Sequence, residues 1–523
     1  MPTRGYGEKF GPLVSVLVPT YNRPQYLQAA LASVVRQDYG NLEIFVIRDG
    51  GKKVRDVVES FNDPRVIFID RDDNRGIPFS LNEALAGARG EYVCYLGDDD
   101  LYYSSHVSTL LRVLEGPTDC QAAYSDLYRT YCTIGPGGGR LVLSKIVEVS
   151  RDFDRFLMLC FNHVLHVSLM HRRDLIEKTG PYNEELTVLI DWDLTRKLSF
   201  FTDFQHVPEI TGEFYSPVGD SDRVSVRQRK DKSEYLRNVI TIRTTRPPKP
   251  WSKIQDLSII LVTAGLDDQT GSTLSSIWRH TFYPYEVYLP LPGEDFRRLN
   301  ADMPNIVLLP VERGSSDARR VDAALARCGG AYVAIVPSGF PIRGFWLEDS
   351  LYALINSPAG NEALELEGST DRCRAFVLKS DDLRRARGRF ANLGLRESLD
   401  AAGILTRRVL PDEIPFQFDE VLGRAKLAEE DGDWARAARL YEYAGDHYQN
   451  RIWMKSQAAK ALFRAGDHRG AARLFSQLNR QRPTVETLLS EAKLSRRSED
   501  FKSAIELLER ADQVLEGKEM PWI

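Results

Sequence analysis

The sequence predicts an α/β protein of two tandem sheet domains followed by an all-α tail, and three observations carry that expectation. Between residues 13 and 96, apolar β-branched runs alternate with helix-periodic segments, the pattern of a mostly parallel sheet covered by helices. The same pattern restarts after a proline-rich segment. From Phe416 onward, charged, alanine-rich sequence recurs with a period of 33 to 34 residues, as stacked helix pairs do. Composition agrees with several domains, because 523 residues exceed one core, and 43% hydrophobic with 27% charged residues is ordinary globular usage.

The first strand is expected at Leu13–Thr20, whose unbroken apolarity suits burial on both faces. Leu27, Ala30, Leu31 and Val34 then fall at helical spacing. A second strand follows at Leu42–Ile47, a helix at Val54–Phe61 and a third strand at Arg65–Ile69. A helix at Ser80–Ala88 and a fourth strand at Tyr92–Leu96 complete the run. In such a sheet the binding crevice lies at the carboxyl ends of the strands. Pro19-Thr-Tyr-Asn22, Asp49 and the triplet Asp98, Asp99, Asp100 all stand there.

Thr244-Thr-Arg-Pro-Pro-Lys-Pro250 cannot continue a helix or an inner strand. The expected division is therefore a first domain at 1–243, a linker at 244–256, a second domain at 257–415 and helical repeats at 416–523. Ser15, Ser33 and Glu43 recur as Ser258, Ser276 and Glu286, all 243 residues later. Pro64 and Gly90-Glu-Tyr-Val recur as Pro304 and Gly330-Ala-Tyr-Val, 240 residues later. The second domain reads as a copy of the first fold in which Asp49 becomes Pro292 and Asp98–Asp100 become Ser338-Gly-Phe340. In the tail, Gly432-Asp, Gly466-Asp and Glu499-Asp are each followed by Ala437, Ala471 and Ala504, then by Tyr441, Phe475 and Leu508.

A net charge of −5 argues against nucleic acid as a partner, since a phosphate backbone demands a basic surface. No stretch approaches the ~18 apolar residues of a membrane span, so a cytoplasmic protein, or one peripheral at the inner face of the membrane, is expected. Six scattered cysteines without a C-x-x-C pair read as reduced core thiols. Three adjacent carboxylates at a buried strand end repel one another unless something compensates, and a divalent cation, Mn²⁺ or Mg²⁺, is the expected cofactor.

Four ordered motifs together resemble family 2 glycosyltransferases of the GT-A fold over about residues 13 to 220. Val18-Pro-Thr-Tyr-Asn-Arg23 is similar to that family's first strand and loop, which implies that Pro19, Thr20, Tyr21, Asn22 and Arg23 line a nucleotide pocket. The bland reading of Asn22 is a helix cap. The resemblance implies that Asp49 accepts a hydrogen bond from a pyrimidine imide N–H, favouring UDP or dTDP sugars; here Arg48 replaces a commoner aspartate. It implies that Asp98 meets the ribose and that Asp99 or Asp100 holds the metal. Leu189-Ile-Asp-Trp-Asp-Leu194 resembles the family's E-D-W-D-L element, with Ile190 in place of glutamate and Asp191 at the catalytic base. His163, His166 and Trp192 are implied on the acceptor side, and Phe214-Tyr-Ser-Pro-Val218 replaces a Y-R-x-H element.

The expectation is a metal-dependent, inverting glycosyltransferase moving sugar from a nucleotide-diphosphate donor to a hydroxyl of a glycan, lipid-linked or protein acceptor. The second domain is expected to be silent, and the tail resembles tetratricopeptide repeats that bind a protein partner or a sister subunit. The alternative is a catalytically silent sugar-nucleotide-binding scaffold assembling partners through those repeats.

Overall fold

The protein is described by a computed structural model covering residues 11–135, 138–147, 150, 152–218, 232–298, 305–342, 346–355, 357, 360–368, 373–389, 394–409, 418–447, 451–481 and 483–515. Phe416 and Pro304, used above for the start of the tail and for the repeat, lie outside the described residues. Two compact units form, Met1–Asn238 with Val421–Ile523, and Val239–Glu420.

The first unit holds a nine-stranded sheet. Its strands are β1 (Val14–Thr20), β2 (Leu42–Asp49), β3 (Val66–Arg71), β4 (Tyr92–Tyr95), β5 (Leu101–Tyr102), β6 (Ala122–Ile134), β7 (Arg140–Ile146), β8 (Leu169–Arg172) and β9 (Phe204–Pro217). They run in the order β3-β2-β1-β4-β8-β6-β9-β5, with β7 paired to β6. The helices are α1 (Pro24–Val35), α2 (Arg55–Glu59), α3 (Ile77–Gly87), α4 (His106–Leu114), α5 (Arg155–Cys160), α6 (Leu175–Thr179) and α7 (Ile190–Leu198). A further helix, α8 (Lys232–Thr244), runs up to the proline-rich segment.

β1 sits between β2 and β4, parallel to both, and Val14, Val16, Leu17 and Val18 are wholly buried. Each such side chain contributes about 1.5–3 kcal/mol. Leu27, Ala30, Leu31 and Val34 of α1 close one face of the sheet, so the carboxyl ends of β1, β2 and β4 share one edge.

The second unit repeats this topology. Its strands are β10 (Leu257–Val262), β11 (Tyr285–Leu291), β12 (Ile306–Pro310), β13 (Tyr332–Pro337), β14 (Glu362–Glu367), β15 (Arg374–Lys379) and β16 (Leu405–Val409). Their order is β12-β11-β10-β13-β15-β14-β16, the first seven positions of the first sheet in the same sequence and directions. Register is kept as well: Ser15 faces Glu43 as Ser258 faces Glu286, and Val14 faces Tyr92 as Leu257 faces Tyr332. Gly90 N–H donates to Ser15 Oγ at 3.0 Å, and Gly330 N–H to Ser258 Oγ at 3.1 Å.

The carboxyl-terminal part of the first unit consists of three helix pairs: Phe418–Asp431 with Trp434–His447, Arg451–Ala465 with His468–Gln481, and Val485–Arg497 with Phe501–Leu515. Each pair turns on a left-handed residue, Gly432 (φ 78°), Gly466 (φ 88°) and Glu499 (φ 63°). In each, the following aspartate caps the second helix, with Asp433 accepting from Arg436 N–H, Asp467 from Gly470 N–H and Asp500 from Ser503 N–H. The repeated alanines at 425, 459, 492, 437, 471 and 504 are all buried, which lets paired helices approach closely.

Candidate active site

Beyond β4 the chain makes a tight turn in which Asp100 N–H donates to Gly97 O at 3.2 Å. All three acids of the turn are buried. Asp98 Oδ2 accepts from Thr20 Oγ1 at 2.8 Å and from Tyr21 N–H at 3.3 Å, tying the turn to the end of β1. Arg23 Nη1 lies 2.8 Å from Asp99 Oδ2 and 3.5 Å from Asp98 Oδ1. Asp100 Oδ1 accepts from Tyr215 N–H at 2.9 Å. Burial first, and then the charge of Asp99, push the Asp98 carboxyl up to about 7 against the pull of Arg23 and Thr20. The turn therefore concentrates negative charge that its own arginine only partly offsets.

Sequence reading missed the other cation here. Arg140, at the start of β7, donates to Asp99 O at 2.7 Å and stands 3.9 Å from Asp99 Oδ2. Its guanidinium is sandwiched between the rings of Tyr26 (3.9 Å) and Tyr215 (4.3 Å). No local pattern marks it, because only the pairing of β7 with β6 brings residue 140 to residue 99.

The first loop is held by residues read as pocket lining. Asn22 adopts φ 60°, and its side-chain oxygen accepts from Lys52 N–H at 2.8 Å. It bridges two strand-end loops and does not cap α1, whose N-cap is Arg23. Tyr21 is exposed, Thr20 buried, and Pro19 lies in β1 opposite Ile47. Asp49 is buried and accepts from Arg71 Nη2 (3.0 Å), Arg75 N–H (2.9 Å) and Gly76 N–H (2.8 Å). Of the roughly four acceptor positions on a carboxylate, three organise the loop after β3. Arg48, the departure from the family pattern, is fully buried between Asp70 and Asp72 and donates to Gly51 O.

Asp191 opens α7, in the first turn after the left-handed Leu189 (φ 61°). Its Oδ2 accepts from Asn162 Nδ2 at 2.9 Å, a partner absent from the sequence-based set. Burial holds its carboxyl above the ordinary value, against the backbone N–H groups of the helix start and Asn162. Tyr182 packs edge-on against Tyr95, three residues before Asp98, and burial, with a smaller part from the charge of Asp191, pushes its hydroxyl up.

Three acceptor-side expectations are corrected or narrowed by packing. Trp192 is buried and donates its indole N–H to Met158 O at 2.8 Å, so it anchors α7 to α5 and faces the core. His166 stacks on Tyr95 at 4.1 Å and pairs with Tyr182 Oη at 2.7 Å. Burial, then His171, hold it neutral, down to about 3. His163 is buried among Phe153 and Tyr124. Tyr95, His166 and Tyr182 thus form one ring cluster.

Residues 15–131 match the model of glycosyl transferase family 2. A PGL/p-HBAD biosynthesis glycosyltransferase of Mycobacterium tuberculosis (strain ATCC 25618 / H37Rv) is 30% identical over 191 residues, 35% of this chain and 68% of its own length. The chain belongs to glycosyl transferase family 2. A second relative of this family 2 chain, from Escherichia coli (strain K12) and named for colanic acid biosynthesis, is 37% identical over 106 residues, 20% of this chain. The chain thus spans 38% and 68% of the lengths of these two curated relatives. Among solved structures, Staphylococcus aureus TarS 1-349 in complex with UDP-GlcNAc aligns with 45% of this chain and 68% of that one at 17% identity and a TM-score of 0.35, a superposition too loose to inform the site.

Family 2 membership raises the question of a divalent cation. Among the described residues, no three His, Cys, Asp or Glu side chains gather to hold one unaided. A methyl group built on Gly97 would lie 3.0 Å from Asp100 Oδ2 and 3.1 Å from Asp99 Oδ1, so two hard oxygen donors border one small space that only glycine leaves open. Such a partial set suits Mg²⁺ or Mn²⁺ completed by phosphate oxygens and water. Among the described residues, no helix is long and apolar enough to cross a membrane.

Proposed function

We propose that the chain transfers a sugar, with inversion, from a nucleoside-diphosphate donor to a hydroxyl acceptor, at the edge where β1, β2 and β4 end. The observation that carries this reading is the acid turn bound to the first loop through Thr20, Tyr21 and Arg23. A buried, like-charged cluster costs stability unless a ligand uses it. Pro19–Arg23 line the nucleotide, the exposed Tyr21 ring offering a face to the base, and Asp98 meets the ribose. The remaining acceptor position on Asp49 suits an imide N–H, hence a UDP or dTDP sugar.

Asp99 and Asp100 would hold Mn²⁺ or Mg²⁺, whose chemistry there is to neutralise charge on the departing diphosphate. Arg23 and Arg140 flank the same place and offer N–H donors to that group. Asp191 takes the proton from the acceptor hydroxyl; its raised carboxyl brings its basicity nearer to neutrality, where a general base works best. His163, His166 and Tyr182 shape the acceptor side.

The second unit is a copy of the fold that has lost the diphosphate apparatus, and the helix pairs are tetratricopeptide-like repeats offering a surface to a protein partner or a sister subunit. The acceptor is a glycan, a lipid-linked saccharide or a protein. The test is transfer or hydrolysis with a panel of UDP, dTDP and GDP sugars, with and without Mn²⁺. Turnover of a UDP or dTDP sugar only with metal is expected. If donors bind and none turns over, the scaffold reading replaces the enzymatic one.

A further inference from the structure

A helix start surrounds its side chains with N–H groups that have no partner in their own helix. A carboxylate there has several acceptable orientations, and a general base can use only the one that faces its substrate. Asp191 stands in such a place, in the first turn of α7. Its orientation is set from outside the helix: Asn162, in the loop after α5, donates from Nδ2 to Asp191 Oδ2 at 2.9 Å.

The Asn162 amide fits only one way round. Its Oδ1 accepts from Val164 N–H at 3.1 Å, the turn an asparagine makes with the backbone two residues on, and Val164 is wholly buried. With the oxygen committed there, the nitrogen faces Asp191, and an amide nitrogen only donates. Both partners ride on braced elements. Trp192 donates its indole N–H to Met158 O at 2.8 Å, and Arg196 Nε reaches Leu159 O at 3.4 Å, so α7 is fixed to α5. Asn162 follows α5 by two residues, and Thr195 Oγ1 donates to Asp191 O at 2.9 Å, holding the backbone beneath the carboxylate.

The neighbouring charges are already matched or absent. On the same helix, Asp193 is paired with Lys197 Nζ at 2.7 Å. Burial pushes the Tyr182 hydroxyl well up, so it stays neutral, and its partner His166 is held neutral as well. The Asp191 carboxyl is raised by burial and lowered by the N–H groups of the helix start and by Asn162. Among the described residues, Asn162 is the side chain that hydrogen-bonds this carboxylate.

We propose that Asn162 is a positioning residue, whose amide holds the Asp191 carboxylate in the orientation that receives the proton of the acceptor. This rests on the reading of Asp191 as the base. In the step it serves, the acceptor O–H bond breaks and its proton goes to Asp191, while the freed oxygen bonds the anomeric carbon. The bond from that carbon to the diphosphate breaks, its electron pair leaving on the diphosphate. Asn162 neither gains nor loses a proton.

Asn162→Asp separates this role from the turn, because it keeps an oxygen for Val164 N–H and loses the donor. Turnover of the UDP or dTDP sugar that the wild type accepts with Mn²⁺ is followed from pH 5 to 9. In Asn162→Asp, kcat should fall about 10–100-fold, the worth of a hydrogen bond to a charged group, with the donor KM unchanged. Its acid limb should move to higher pH, because the lost donor favoured the ionised carboxylate. Asn162→Ala should repeat both changes and also melt earlier, since Val164 N–H loses its acceptor. Asn162→Asp combined with Asp191→Asn should lose no more than Asp191→Asn alone, because one residue acts through the other. The proposal falls if folded Asn162→Asp and Asn162→Ala keep the wild-type rate and acid limb, or if the combined variant loses both factors in full; Asn162 then serves the turn alone. If Asp191→Asn keeps full transfer, or the wild type turns over no donor, the reading of Asp191 falls and takes this proposal with it.

Discussion

At the carboxyl ends of β4 and β13 the chain uses one topology with opposite contents. In the first sheet Thr20 donates to Asp98, and three buried acids face two arginines. In the second, Thr263 at the place of Thr20 joins a file of neutral hydroxyls, 2.8 Å from Thr270 Oγ1, which is 3.1 Å from Ser338 Oγ. Gly339 N–H donates to Thr273 Oγ1, and the Gln269 side chain packs against Gly339. Only the first turn holds charge. The sheet itself does not require the acids.

The sharpest break in this comparison is expected from Asp191→Asn. Transfer should fall by about 10²–10⁴-fold while donor affinity, measured by calorimetry with the nucleoside diphosphate, stays unchanged. Full retention would remove Asp191 as the base and leave the family assignment intact. Arg140→Ala should come next, weakening nucleoside-diphosphate binding by roughly 10–100-fold, the worth of a charge-assisted hydrogen bond. Arg140→Lys, which keeps charge and loses the planar stack, should recover part of it. Equal affinity in wild type and Arg140→Ala would mean that Arg140 only braces the turn.

Acid should separate the units. His106, His166 and His171 are held neutral in the first unit, chiefly by burial, down to about 3, 3 and 4. Once unfolded they would take protons near pH 6.5, so the unfolded state binds more protons below that pH. The stability they contribute is whole above about pH 6.5 and drains away as pH falls toward 4 and 3. His206, held above its ordinary value by Asp126 and Asp152 despite burial, acts in the opposite direction. The second unit contains a single histidine, His280. Calorimetry from pH 7.5 to 5 should lower the transition of the first unit more than that of the second; parallel shifts would contradict it.

The smallest effects come from one shared hydroxyl. Ser15→Ala and Ser258→Ala each remove the acceptor of the Gly90 or Gly330 N–H, and each should cost its own unit about 1 kcal/mol by urea titration. Ser15→Ala should cost more, because Ser15 Oγ also donates to the buried Glu43 at 2.7 Å; equal losses would mean that this second bond adds nothing.

What was legible in the sequence had a local signature. Buried parallel strands announce themselves by unbroken apolarity, and β1 through β4 fall within a few residues of their expected bounds. Thr20, Arg23 and the acid triplet are contiguous with strand ends, and the structure joins them. Arg140, Tyr215 and Asn162 were not legible, because they reach the site through antiparallel pairing and a loop, 41, 115 and 29 residues from the groups they touch. Trp192 misled for a complementary reason: an aromatic beside a motif looks the same in sequence whether its ring faces a ligand or the core. The spare acceptor capacity of Asp49 was invisible until Arg71 and two loop amides were seen to use most of it.

Gly97 makes the contrast between the sheets one of packing as well as of charge. Its counterpart by strand register is Pro337, paired with Val262 at the end of β13. A proline ring would fill the space that the Asp99 and Asp100 oxygens border in the first sheet. Returning acids to positions 338–340 would crowd them against that ring and bury unpaired charge, since Leu266 stands where Arg23 would be. An acid turn in the second sheet would need changes at Pro337, at positions 338–340 and at Leu266 together, so the two sheets differ here by packing as well as by charge.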